Sequence, residues 1–406
     1  MNSGISPVKG VPGPNIWVDR SHLGRRARER VVADLISPET LYPLKSAAFQ
    51  AGSGRLGILA GQMLGLPLRA LRKPEDIFVF PGFPPSPFFS IIPKRSVLYV
   101  HDLSLMTQCE DLNIAARYFM APMFKIAIKR FKYFLTNSED LAGKLRLFCD
   151  PDAVVIPCRP PARNVYDLDP EERLQRPFHP AKLKVVALGT IEPGKNFLTA
   201  ADVCAALADR LGIGVELHII GKTGSGSEAE ALSGRPDVIL HGPLTRPKAR
   251  EVINASDIYL CTSREEGLCL PLLEMQYGGL PIVAPDAPIF RELLGLSGIF
   301  IEPGRVDRAA ELIARALARP DWRAKHAAAS TSNIERWGRM EKRDRQRLVG
   351  FFESLVSDRE AVFAQDPLVQ DHRVQELRDG PGSFSTVIAR GLNENRQPAP
   401  VKRLRR

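Results

Sequence analysis

The chain has 406 residues, 44% of them hydrophobic and 25% charged. That is too long for one ordinary core and right for two domains with tails. A formal net charge of +10 favours acidic partners such as nucleotides, nucleic acid or an anionic membrane surface, without choosing among them. The six cysteines (Cys109, Cys149, Cys158, Cys204, Cys261, Cys269) form no CxxC pair and no metal-ligand spacing with histidine. They read as free thiols in a reducing compartment. No apolar run reaches the roughly 18 residues of a membrane span. The N-terminus lacks the apolar core of a secretory signal, so the expected location is the cytoplasm.

In chain order, residues 1–14 are rich in Gly, Pro and Ser and are expected to be loose. Ile16–Val18 reads as a first strand, and HLGRRARERVVADLI (22–36) as a basic helix. DIFVFPG (76–82) and SVLYVHDLS (96–104) read as buried strands, and 114–134 as a helix. A short strand, a Ser138 N-cap and a helix follow over 133–148, then a strand at 153–157. Residues 158–183, dense in proline and charge, break this rhythm. Strands are then expected at 184–190, 215–221, 238–242, 257–263, 280–285 and 298–303, with helices between them and at 307–320 and 341–357. Alternation of this kind predicts parallel sheets covered by helices. The expected organisation is a first Rossmann-like domain over 1–160, a linker over 161–183 and a second Rossmann-like domain over 184–337. A helix over 338–364 would cross back to the first domain, and a tail over 365–406 would be disordered. The fold class is thus α/β, two doubly wound domains facing a central cleft, with ligand-binding residues in the strand-to-helix loops.

One such loop carries most of the chemistry. SREEGLCLPLLEMQYGGLPIVA (263–284) sets Glu266 and Glu274 eight apart across a glycine, a proline and a helix start. Pro271 suits the first helical turn. Free N–H groups at 268–271 can face an anion. Carboxylates on either side can accept paired bonds from vicinal hydroxyls. The ligand this suits has a diphosphate in the middle and sugars at both ends. The alternative reading of Glu274 is an early-turn acid that merely favours the helix start.

EEGLCLPLLEMQYGGLPIVAPDAPIFRELLG resembles the nucleotide-sugar motif of retaining, GT-B-type glycosyltransferases of family 4, the glycosyl transferases group 1 type. LGTIEPGKNFL (188–198) resembles the opening strand and phosphate-lysine loop of that family. VLYVHDLSLM (97–106) and FLTNSEDLAGKL (134–145) resemble segments of its first half. The resemblance spans about residues 76–357. It implies a GT-B fold and transfer of a mannose- or glucose-like sugar from a nucleoside diphosphate sugar to a glycan or lipid-linked acceptor. It implies no cofactor and no metal, with Glu266, His101 and Lys195 at the reaction centre. Donor binding is implied for Gly189, Lys195, Lys222, Gly242, Leu244, Gly267, Leu268, Cys269, Leu270 and Glu274. Glu266 would face the donor sugar, Glu274 the ribose, Lys195 the diphosphate, and the backbone at 242–244 the base. The chain departs from the family where an arginine often sits, at Thr190 and Gly194, and Cys158-Arg159 replaces its usual Asn-Gly. One lost charge-assisted phosphate contact is worth roughly 1.5–3 kcal/mol.

Other signals are weaker. GSGRLG (52–57) matches GxGxxG, but LYPLKSAAFQA before it reads as a poor strand, so no dinucleotide site is expected. The basic, aromatic run 116–135 sets Lys125, Lys129 and Lys132 on one stripe, readable as a peripheral contact with an anionic membrane or as a core helix with a solvated face. Arg25, Arg26, Arg28, Arg30 and the KRLRR end pose the same question. No nucleic-acid motif is present. Two rivals remain: an enzyme of the same fold that epimerises or phosphorolyses sugars, and a non-catalytic binding or scaffold protein that keeps only nucleotide binding.

Overall fold

The computed structural model describes residues 15–21, 35–37, 40–42, 44–52, 54–74, 76–81, 83–107, 116–178, 181–224 and 227–357. Most of the basic segment 22–36, with its arginines, lies outside them, as do Cys109 and the tail from 358.

Two six-stranded parallel sheets form the framework. The first contains β1 (Ile16–Asp19), β2 (Ser46–Phe49), β3 (Ile77–Phe80), β4 (Ser96–Val100), β5 (Tyr133–Thr136) and β6 (Val154–Pro157), in the order β2-β1-β3-β4-β5-β6. The second contains β7 (Lys182–Leu188), β8 (Gly214–Ile220), β9 (Val238–Gly242), β10 (Ile258–Leu260), β11 (Ile282–Pro285) and β12 (Gly298–Ile301), in the order β12-β11-β10-β7-β8-β9. Buried on both faces, the central strands read as continuous apolar runs: every residue of SVLYV and IFVF is buried. In the second sheet the chain builds outward from β7 through β9, then returns to the other side of β7 with β10. The loops leaving β7 and β10 therefore diverge at a topological switch point, where open α/β sheets hold ligands.

Several local expectations hold. Ser138 caps its helix, its Oγ accepting from the Leu141 N–H at 3.1 Å. The helix Phe197–Leu211 buries Ala200, Ala201, Cys204 and Leu207 against β7 and β8. Three differ. SAAF does form a strand: β2 pairs in parallel with β1 from Ile16↔Ser46 to Asp19↔Phe49. Its lack of β-branched residues suits a half-buried edge position, where propensity decides little. The glycines that follow allow close packing, because a Cβ on Gly57 would lie 2.9 Å from the Gly52 carbonyl. The stretch 161–183 is not featureless. It contains the helix Pro170–Gln175, capped by Asp169, and the first residues of β7. Arg173 of that helix is buried and donates to the carbonyls of Gly278 at 2.9 Å and Gly279 at 2.6 Å. Finally, the last helix starts at Trp322 rather than 338 and runs unbroken to Val356. Its apolar residues are sparse, so the pattern shows only where it packs, at Trp337 and again at Phe351 and Phe352.

Candidate donor-binding site at the second sheet

The ends of β7, β8 and β9 are fused by main-chain bonds. The Gly189 N–H donates to Ile220 at 3.0 Å, that of Gly221 to Gly242 at 3.0 Å, and that of Ile191 to Lys222 at 2.8 Å. A Cβ on Gly221 would fall 1.7 Å from the Gly189 oxygen, so only glycine lets these two chains approach. Gly189 has φ 150°, and a Cβ there would lie 3.4 Å from Cε of Lys195. The lysine stem thus lies along bare backbone. Lys222 is exposed at the edge of this shelf, and Leu244 packs against the neighbouring core.

The lysine loop is tied to the loop after β10. Thr262 Oγ1 donates to the carbonyls of Lys195 at 3.1 Å and Asn196 at 2.9 Å. The Arg264 N–H donates to Gly194 at 3.0 Å. Asn196, at φ 58°, makes the left-handed turn into the helix Phe197–Leu211. So anchored, the Lys195 ammonium forms an ion pair with the Glu266 carboxylate, whose side chain is only 3% exposed against 18% for the lysine. A carboxylate so buried needs a cation beside it.

Gly267 joins the two sheets. A Cβ on it would lie 2.1 Å from the His101 carbonyl oxygen and 2.9 Å from Cβ of Asp102. The same carbonyl accepts from Asn137 Nδ2 at 2.9 Å. The His101 ring lies 5.0 Å from that of Tyr99, with Nε2 3.4 Å from the Pro81 carbonyl. His101 therefore stands beside Glu266-Gly267 through its main chain. Leu268 and Cys269 bury their side chains and Leu270 half-buries its own, so those positions can offer a ligand little but backbone. The helix Leu270–Gln276 has Pro271 in its first turn and no side-chain cap. At seven residues its dipole is small, and beside Glu266 the positive charge is that of Lys195.

Glu274 lies one turn into this helix. Burial pushes its carboxyl up to about 7, against the pull of Arg246. Its charge also helps burial push the Tyr166 phenol up to about 12. Burial raises the phenol of Tyr259 on β10, and Cys269, Cys261, Glu266 and Glu274 raise it further. Both glutamates therefore act on one buried ring, and the structure brings the pair into one neighbourhood.

Sequence reasoning missed Tyr166, Arg246 and Asn137, which carry no motif of their own. It treated Arg159 only as a departure. In the structure Arg159 is a buried junction. It bonds Asp344 at 2.6 Å through Nη1 and Glu292 at 3.0 Å through Nε. Glu292 in turn accepts from the Glu139 and Asp140 N–H groups at 2.9 and 3.0 Å, at the start of the helix after β5.

With this geometry in view, comparisons place the chain. The arrangement of two parallel sheets is the GT-B fold of glycosyltransferases. Residues 169–334 match the family model described as "Glycosyl transferases group 1", the stretch that holds the whole lysine–glutamate site. A sucrose-phosphate synthase from Thermosynechococcus elongatus is similar at TM-score 0.61 and 14% identity, over 84% of this chain and 99% of that one. Anabaena HepE in complex with UDP gives 0.59 and 16%, over 83% and 100%. WaaG, a glycosyltransferase involved in lipopolysaccharide biosynthesis, gives 0.55 and 14%, over 79% and 95%. No curated protein matches by sequence.

Proposed function

We propose that the protein is a retaining glycosyltransferase. It moves a mannose- or glucose-like sugar from a nucleoside diphosphate sugar to an acceptor hydroxyl in polysaccharide or lipid-linked glycan assembly, next to an anionic membrane surface. The carrying observation is the Lys195–Glu266 pair, seated where the loops from β7 and β10 diverge, with the His101 loop against the next residue. In this reading the donor diphosphate competes with Glu266 for Lys195. Glu266 is then released toward the sugar, and Lys195 stabilises the charge that builds on the leaving phosphate. The acceptor oxygen bonds to the anomeric carbon on the face the phosphate leaves, and its proton passes to the departing phosphate oxygen. No protein nucleophile, metal or cofactor is required. Ionised Glu274 accepts from the ribose hydroxyls, and backbone at Gly242 and Leu244 meets the base. The similar HepE forms complexes with UDP and with UDP and glucose, which supports a donor of this chemical class.

A second reading, a scaffold that keeps only nucleotide binding, is favoured by one observation. Lys195 is already paired with Glu266, and neither Thr190 nor Gly194 adds a cation. A thermal-shift screen with UDP, GDP, ADP, dTDP and CMP tests both. Ligand at a hundred times its Kd stabilises by about 2.7 kcal/mol. Stabilisation of the wild type and not of Glu274→Ala by one diphosphate supports the donor site. Turnover of the matching nucleotide sugar, reduced about 100-fold or more in Lys195→Ala, separates enzyme from scaffold. Binding without turnover leaves the scaffold reading standing.

A further inference from the structure

Three segments, 54–73, 87–95 and 116–130, pack on the first sheet beside the helix Glu139–Arg146, whose Leu141, Ala142 and Leu145 belong to the same core. Their inward residues Leu66, Ala70, Phe89, Phe124 and Ile128 share one core with Phe78, Phe80, Leu98 and Val100 of β3 and β4. Their outer sides consequently point the same way, away from the sheet. Those sides are apolar where solvent should favour polar residues. Leu64, Leu68, Leu71, Ile91, Tyr118 and Ile126 are between 41% and 76% exposed. Of the twelve large hydrophobic residues exposed among the described residues, eight lie on these segments. Leu64, Leu68 and Leu71 repeat at helical spacing, one stripe on the chain that also packs Leu66 and Ala70 inward.

The charge is as one-sided as the apolar surface. None of the three segments contains an aspartate or glutamate, although the chain holds 46 acidic residues. Arg69, Arg72, Lys73, Lys125, Lys129 and Arg130 are exposed on them. Surface cations on an ordinary solvated face are interspersed with carboxylates. Here the Lys132 ammonium, just past the third segment, is paired with Asp150.

We infer that this face docks on an anionic lipid bilayer. Aliphatic side chains enter the boundary between headgroups and acyl chains, and the surrounding cations meet lipid phosphates. Nucleic acid would call for cations and stacking aromatics, yet six of the eight exposed apolar residues are Leu or Ile. The cations of these three segments also oppose a second copy of the same face through like-charge repulsion. This deepens the proposed function by naming the surface that meets the membrane, and it rests on that reading only for its purpose, delivery of a lipid-linked acceptor.

The test is co-sedimentation of the full chain with vesicles of phosphatidylglycerol and phosphatidylcholine, against vesicles of phosphatidylcholine alone. Binding is expected about tenfold or more tighter to the anionic vesicles and weakened by salt. The exposed double variant Leu68→Glu, Ile126→Glu should lose it about tenfold or more, with an unchanged circular dichroism spectrum. Lys125→Ser with Lys129→Ser should lose less, and only at low salt. Equal binding to both vesicle types, or binding to neither, overturns the inference. So does tight oligonucleotide binding that survives the leucine and isoleucine changes, or a wild-type dimer that those changes split. Glu274→Ala should sediment like the wild type while losing nucleotide stabilisation. A failed donor site and a failed docking face are thereby told apart.

Discussion

The two sheets share a plan, six parallel strands with helices on both sides, but their loop ends are held differently. At the second sheet, main chain presses on main chain. Gly221 lies against the Gly189 carbonyl, and a Cβ on Gly224 would fall 2.4 Å from that of Ile191. At the first sheet, side chains do the tying. Gln62 donates to Asp19, at the end of β1, at 2.7 Å, and at the opposite end, where β1 and β3 begin, Asp76 accepts from Asn15 at 3.0 Å and from Trp17 Nε1 at 2.8 Å. A shelf of bare backbone brings peptide groups and one lysine close to a phosphate, and that demands glycine at fixed places. A scaffold tied by side chains leaves its outer surface free to be whatever its partner requires. The first sheet accordingly presents an oily, cationic exterior, and the second the compact polar site.

The sharpest way to break this contrast is at the point where the halves are joined. Arg159 is buried between Asp344 and Glu292, and the latter caps the helix Glu139–Arg146 that follows β5. Burial raises the Asp344 carboxyl, and Arg159 pulls it back down. Arg159→Ala would take from Asp344 and Glu292 the cation that bonds them both and leave Asp344 only the longer pair with Arg347, at a cost of about 3–5 kcal/mol. Calorimetry should show a Tm lower by several degrees, or two separate transitions as the halves unfold apart. One transition at an unchanged Tm would mean the network contributes nothing to holding them. Arg159→Lys should recover part of the loss, because one ammonium cannot fork to both acids.

The unequal legibility of the two halves follows from the same contrast. Glu266, Gly267, Pro271 and Glu274 stand at fixed spacing because one strand end and one helix start position them all. The glycines at 189, 221 and 242 mark backbone contacts that no other residue permits or that require positive φ. Such constraints write themselves into sequence. The edge strand SAAF does not, since pairing with β1 rather than propensity forms it. Arg159 was unreadable for another reason: its partners lie 133 and 185 residues away, and nothing local announces them. The part of the Trp322–Val356 helix before residue 338 was missed likewise, its apolar faces being narrow.

A smaller effect is expected where the two halves touch without exchanging charge. The Gly267 position admits no side chain, since a Cβ would lie 2.1 Å from the His101 carbonyl oxygen. Gly267→Ala must push the His101 loop away by about 1 Å, a misplacement that costs up to about 100-fold in turnover when reacting groups are involved. Nucleotide affinity should change little, because the lysine shelf is anchored through Thr262 and Gly194 instead. A fall in kcat with Kd for the nucleotide unchanged would show that the first sheet completes the reaction centre rather than the donor pocket. Loss of nucleotide binding would erase the distinction drawn between the halves.

The subtlest effect belongs to Glu274, and it sharpens the comparison by showing what the compact site costs the fold. Burial lifts its carboxyl to about 7 from an ordinary 4.5. Between those values the unfolded chain ionises this group and the folded chain keeps it protonated. The folded state then binds more protons, so its stability falls as pH rises through that window and levels off above about 7. Glu274→Gln removes the penalty and should raise stability at pH 8 by about 1–2 kcal/mol, with little change at pH 5. A ligand whose ribose hydroxyls need the ionised form reverses the balance. Its affinity should fall about tenfold for each pH unit below 7 in the wild type and stay flat in Glu274→Gln. Calorimetric titration should use an intact nucleotide sugar, because a terminal phosphate itself titrates near pH 6 and would mimic the effect. A wild-type affinity independent of pH would mean that the carboxyl accepts nothing from the ligand, and Glu274 would then be an early-turn acid and no more.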